Sequence, residues 1–238
     1  MSITPDTIIY WQFGPFAISA TLVFTWVVMA LLVGSSWLVT RKLSSATSVS
    51  RGQLLMEIVL QGIRGQIREV VEIDPDRYLP FIGTLFLFIV VSNVLVVVPG
   101  FQPPTGSLST TTALALCVLV AVPAFGIASN GLLRYLKSYL EPTAIMLPLN
   151  IMSEITRTIS LSIRLFGNMM SGTMIAAMAL AIAPLFFPVI MNALGLLIGV
   201  IQAYIFSILA LVYIASATRA HEEKLAGATN KKGEPSHV

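Results

Sequence analysis

The sequence predicts an all-α integral membrane protein: about five transmembrane helices plus an amphipathic interfacial helix, the last two helices long. Three observations carry this. Only 11% of the 238 residues are charged while 56% are hydrophobic. A soluble domain carries roughly 25% charged residues, so this chain cannot cover a water-facing surface. It also holds several apolar runs of about 20 residues, the length a spanning helix needs. Finally, its Lys and Arg residues cluster between those runs, where a topology signal belongs. Nucleic-acid binding would need a basic stripe on a soluble face, so nucleic acid is not an expected partner. A single membrane domain, residues 1–238, follows, without a soluble catalytic module.

The first span is expected near 16–40, FAISATLVFTWVVMALLVGSSWLVT. Arg41, Lys42 and Arg51 follow at once, which puts that end in the cytoplasm and the amino terminus outside. The preceding MSITPDTIIYWQFG lacks a basic start, and the first apolar run is too long for a signal peptide, so retention is expected. In residues 51–74, Leu54, Leu55, Ile58, Val59 and Ile63 recur at helical spacing, but Glu57, Arg64, Arg68 and Glu69 interrupt too often for a span. That pattern fits an amphipathic helix lying in the interface.

No charged residue occurs between Arg77 and Arg134. Spans are expected at 78–100 and 112–133, joined by FQPPTGSLSTT, whose prolines and glycine are turn signals. Arg134 and Lys137 mark a second cytoplasmic loop. The single cysteine, Cys117, lies in an apolar run and is expected as a small buried hydrophobe, with no disulfide and no metal site. The last third reads as two long helices, 149–183 and 189–217, separated by Pro184 and Pro188. The polar tail 219–238 is expected to be disordered, on the cytoplasmic side. No internal repeat is evident, which weighs against a transporter built from inverted repeats.

At about 100° per residue, Ser153, Arg157, Ser160, Arg164, Asn168 and Ser171 share one narrow stripe of the first long helix. Lipid could not tolerate it, so it should face protein or water. A mid-membrane Arg costs roughly 2.5–3.5 kcal/mol on insertion scales and more in simulations. Arg cannot escape by losing its proton, so Arg164 is a fixed cation suited to attracting and releasing a carboxylate. Glu154 lies ten residues earlier, and no other acid follows until Glu222. The counter-charge therefore belongs to another polypeptide or is transient. The bland alternative, for Arg164 and more so for Arg157, is snorkelling to headgroups. On the second long helix, Asn192, Gly195, Gly199 and Gln202 form another stripe. Gly195 and Gly199 suggest a packing seam. Gln202 meets either water or the arginine helix, and Tyr204, Ser207 and Tyr213 either hydrate a passage or are interfacial.

IRLFGNMMSG, preceded by PLNIMSEITRTISLS and followed by IQAYIFSILALVYIA, resembles subunit a of the F-type ATP synthase membrane sector. The likeness runs back through PGFQPPTGSLSTTTALAL to the first span, so it covers nearly the whole chain. The resemblance implies a stator, its last two helices long and tilted, beside a rotating ring of c subunits, with b-type peripheral stalk subunits and the lipid bilayer as further partners. It implies two aqueous half-channels for H⁺ or Na⁺, separated by the arginine matching Arg164. Asn168 and Gln202 fall on family positions near that arginine, and Glu154 and Arg157 near the acidic and basic positions at the helix start. Ser160, Ser171 and Thr173 join them as candidate path residues, and the membrane implied is the bacterial inner membrane.

Three departures stand out. Thr173 replaces a common acid, Gly195 a common His or acid, and Thr158 a common proline. The pattern also resembles the N-type rotary ATPase variant, several members of which are thought to move sodium. The chain has no phosphate-cradling glycine loop, so no cofactor or catalytic residue is expected and ATP chemistry must lie elsewhere in the complex. The rival reading is a secondary transporter whose Arg164 binds an anionic substrate; a scaffolding subunit without a pathway is the third.

Overall fold

A computed structural model describes residues 9–13, 16–41, 51–71, 75–98, 100–131, 146–182 and 187–219. Among the described residues six α-helices follow one another: α1 (Ala20–Thr40), α2 (Arg51–Val70), α3 (Leu79–Val94), α4 (Leu108–Asn130), α5 (Met146–Ile182) and α6 (Phe187–Arg219). All but α2 are long and apolar enough to cross a membrane. A short antiparallel hairpin, β1 (Ile9–Phe13) and β2 (Phe16–Ser19), precedes them with Phe13 opposite Phe16. Helix α1 therefore starts at Ala20 and not at 16. Its lead-in, IYWQF and FAIS, is rich in aromatic and β-branched residues, which favour a pleated strand.

The core lies between α3, α4, α5 and α6. Ile82, Leu85 and Ile89 of α3 meet Val118 and Val122 of α4, Leu161 and Leu165 of α5, and Phe206, Leu211 and Ile214 of α6. Helices α3 and α6 run antiparallel, tied at both ends. Near the start of α3 the Tyr78 hydroxyl donates to Thr218 Oγ1 at 3.4 Å. Near its end the Asn93 amide donates to the Gly199 carbonyl at 2.8 Å. Helix α1 is peripheral, with Trp26 and Val33 about two-thirds exposed and Phe24 set edge-on against Phe101 at 4.9 Å.

Helix α2 docks by its end, where Ile67 and the following Val71 enter the core. Its Leu54 and Ile58 stay exposed, and Arg64 pairs with Asp76 at 2.5 Å. An apolar flank left open beside a charged one is the pattern of a helix that lies in the membrane interface.

Helix α4 begins at Leu108, so LST belongs to its first turn and not to the connection. Serine and threonine can occupy a helix start by bonding local backbone, and Thr111 does so, donating to the Leu108 carbonyl at 3.1 Å. Gly131, at φ 79°, ends the helix in a conformation glycine tolerates, with its N–H on the Ile127 carbonyl. Cys117 is exposed, contrary to expectation. The inward face of α4 runs through Ala115, Val118 and Val122, which leaves Cys117 on the outward side with Leu116 and Val120. In a membrane an apolar residue can face lipid as readily as core.

Helices α5 and α6 have 37 and 33 residues. At about 1.5 Å per residue they span roughly 50 Å or more. The hydrocarbon layer is about 30 Å thick, so each is longer than an upright crossing needs and can accommodate the tilt that the family resemblance implies.

Candidate functional site

The last two helices set the site. Helix α5 buries Leu161, Ser162 and Leu165 against the bundle. The opposite face is thereby turned outward, and it carries Ser153, Arg157, Ser160, Arg164 and Ser171 exposed, with Asn168 half-buried. Arg164 stands at the middle of the apolar segment Pro148–Ala181. Among the described residues it has neither a hydrogen bond nor an ion pair. The same helix also leaves Ile155, Ile159, Ile163, Ile175 and Met178 exposed.

Arg157 lies seven residues, about two turns, earlier. Its guanidinium rests 5.1 Å above the ring of Tyr213 on α6, a cation–π contact. Tyr213 thus has a definite role, holding a second cation at the end of the pair where α6 finishes. Glu154 is half-buried and engaged in contacts of its own. Thr158 donates back to the Glu154 carbonyl at 2.9 Å, as a helical hydroxyl readily does.

Beyond Arg164, toward the α5–α6 turn, a cavity of about 140 Å³ opens between α3, α5 and α6. Asn168, Ser171 and Thr173 of α5, Asn192 and Gly195 of α6, and Asn93 of α3 line it among apolar side chains. That is room for several water molecules with polar partners.

Gly195 and Gly199, expected together as a packing seam, differ. A Cβ at Gly199 would stand 3.0 Å from the Asn93 side chain, whereas one at Gly195 would meet nothing within 4 Å. Only Gly199 marks a close approach; Gly195 opens on the cavity.

Gln202 is buried at 7% exposure, and its Nε2 has no hydrogen-bond partner. A buried donor left unmade costs about 1–3 kcal/mol. The structure does not place Gln202 on the cavity wall. Tyr204 and Ser207 lie on the other flank of α6: the Tyr204 hydroxyl donates to Gln66 Oε1 of α2 at 2.5 Å, while the buried Ser207 hydroxyl has no partner.

Sequence reasoning missed Asn93. Its amide donates to Gly199 and accepts from the Thr105 hydroxyl at 3.0 Å. It thereby joins α3, the α3–α4 connection and α6 at the cavity edge. The available signal was an asparagine in an uncharged apolar run, which a membrane helix keeps only with partners. Among the described residues no three His, Cys, Asp or Glu side chains gather as a metal site would require.

The profile of the ATP synthase A chain family matches residues 22–215. The chain belongs to that family. It is 59% identical over 222 residues to ATP synthase subunit a 2 of Acaryochloris marina, covering 93% of this chain and 95% of that one. It is likewise 58% identical over 223 residues to ATP synthase subunit a 1 of Chlorobaculum parvum (94% and 99% covered). With ATP synthase subunit a of Albidiferax ferrireducens it shares 59% over 224 residues (94% and 97%). This member of the ATP synthase A-chain family is thus a multi-pass membrane protein that leaves Arg164 exposed at the middle of a spanning helix.

Proposed function

We propose that the chain is the stator ion-path subunit of a rotary F-type ATP synthase. One observation carries the reading: Arg164 sits at mid-span on the outward face, unpaired within its own described residues. A ring of c subunits would supply the missing surface and a carboxylate for each passage. A ring acid that has lost its ion is drawn to the guanidinium, and a loaded neutral one is not held. The membrane potential contributes about 2.3 kcal/mol per charge per 100 mV. The fixed cation also repels free cations and so blocks a direct leak. Because Arg cannot deprotonate, this barrier holds at any working pH.

In this reading the cavity bordered by Asn168, Ser171 and Thr173 is the half-channel on the outer side. With Thr173 and Gly195 there, ions pass by water and neutral oxygen atoms, not by a titratable relay, and either H⁺ or Na⁺ can be carried. Gln202, buried with an unmade donor, and Ser160, one turn from Arg164, serve the junction. Glu154 and Arg157 flank the inner mouth. Stalk subunits of b type hold the stator, the membrane is the bacterial inner membrane with the carboxyl terminus in the cytoplasm, and ATP chemistry belongs to other subunits. Exposure of Arg164 supports this over a transporter for anions, whose binding site its own helices would enclose.

The test is Arg164→Ala in the reconstituted complex. ATP-driven ion pumping should vanish while the complex still assembles; normal coupled pumping would refute the proposal.

A further inference from the structure

One buried polar contact on α5 is not part of the ion path. The Ser162 hydroxyl lies 3.0 Å from Thr112 Oγ1 and 3.4 Å from Thr111 Oγ1, both on α4. Ser162 is 5% exposed and Thr111 fully buried. Because Thr111 gives its proton to the Leu108 carbonyl, the three hydroxyls order themselves in one direction. Thr112 donates to Ser162, Ser162 to Thr111, and Thr111 to the backbone.

Leu161 and Leu165 pack α5 into the core, but apolar packing fixes a rotation less strictly than a directional bond does. A groove of about 390 Å³ runs beside the hydroxyl contact between α4 and α5, bordered by Leu116, Ile155, Ile159 and Ile163. Isoleucine and leucine occupy both the inward and the outward faces of α5. In lipid the two placements differ little, since the tails are as apolar as the side chains. A hydroxyl is directional: it can bond its own helix, as Thr158 does, but Ser162 reaches across to α4, and only the observed rotation of α5 brings it to Thr112. Arg164 follows Ser162 by two residues, about 200° around the helix. Holding Ser162 inward therefore holds Arg164 outward.

We propose that Ser162 is a positioning residue: its hydroxyl contact with Thr111 and Thr112 fixes the rotation of α5 about its axis and so keeps the Arg164 guanidinium on the outward face. The functional consequence rests on the stator reading above. Since Ser162 points away from the path, its loss lowers the maximal rate and leaves the ion affinity of the path alone.

The experiment compares Ser162→Ala, Thr112→Val, their double variant and Ser162→Thr in the full complex, with Arg164→Ala as reference. Complex content, maximal ATP-driven pumping and the ion concentration giving half-maximal rate are measured. Each single loss of hydroxyl should lower maximal pumping about three- to fifteenfold, the range that membrane hydrogen bonds allow. Complex content and half-saturating concentration should stay constant, the double variant should be no worse than the poorer single, and Ser162→Thr should retain most of the rate. Normal pumping by Ser162→Ala beside a dead Arg164→Ala overturns the inference alone, and normal pumping by Arg164→Ala overturns the stator reading too. Losses that merely track complex content, or that multiply in the double variant, also overturn the inference.

Discussion

Helices α1 and α5 are equally poor in buried residues, and they are exposed for opposite reasons. Within its apolar window α1 has 11% of its residues buried and α5 has 17%, against 39% for α3 and for α6. The open surface of α1 is uninterrupted: Trp26, Val27, Met29, Leu31 and Val33 face out with no charge among them. That of α5 carries Arg157, Ser160, Arg164 and Ser171 among its isoleucines and methionines. Exposure in a membrane chain thus has two meanings, and polarity tells them apart. A purely apolar face is complete in lipid, whereas in the proposed stator a face holding a fixed cation is half of an interface.

Charge placed on the lipid-facing helix should break this contrast most strongly. Met29→Arg puts a guanidinium near the middle of α1, and it should cost about 2.5–3.5 kcal/mol of insertion free energy, read as loss of membrane-inserted chain. Normal insertion would mean that α1, like α5, meets protein or water.

Gly199→Ala probes the closed side, where α6 touches α3. The new Cβ would press on Asn93 at 3.0 Å, so a loss of roughly 1–3 kcal/mol is expected in thermal or denaturant unfolding. Gly195→Ala, over open space, should stay within about 0.5 kcal/mol. Equal effects would remove the distinction between the two glycines. The smallest change is expected for Tyr78→Phe, whose 3.4 Å contact with Thr218 should contribute less than about 0.6 kcal/mol.

Thr173→Glu addresses the open face, because Thr173 is exposed and borders the cavity. Pumping should gain a pH dependence that the parent chain lacks. An unchanged profile over several pH units would remove Thr173 from the path.

The five spanning helices and the interfacial one were legible because charge is nearly absent from the spans and frequent in α2. The polar stripe of α5 was legible for a related reason: an arginine in an apolar run is too costly to be accidental, and helical spacing shows which residues share its face. Three features were not legible. Cys117, expected buried, and Gly195, expected in a packing seam, were misplaced, because apolar periodicity in lipid does not separate inside from outside. The bonds from Asn93 to Gly199 and from Ser162 to Thr112 join residues 106 and 50 positions apart, and nothing local announces such pairs. The β1–β2 hairpin lies in a stretch whose aromatic and β-branched residues suit a strand as well as a helix start.

The most direct measurement is a density map of the assembled membrane sector. Arg164 should point out of its own bundle across a water-lined gap, toward a carboxylate of the neighbouring ring. A guanidinium aimed into lipid, or locked in every rotary state to an acid of its own chain such as Glu154, would contradict the central claim.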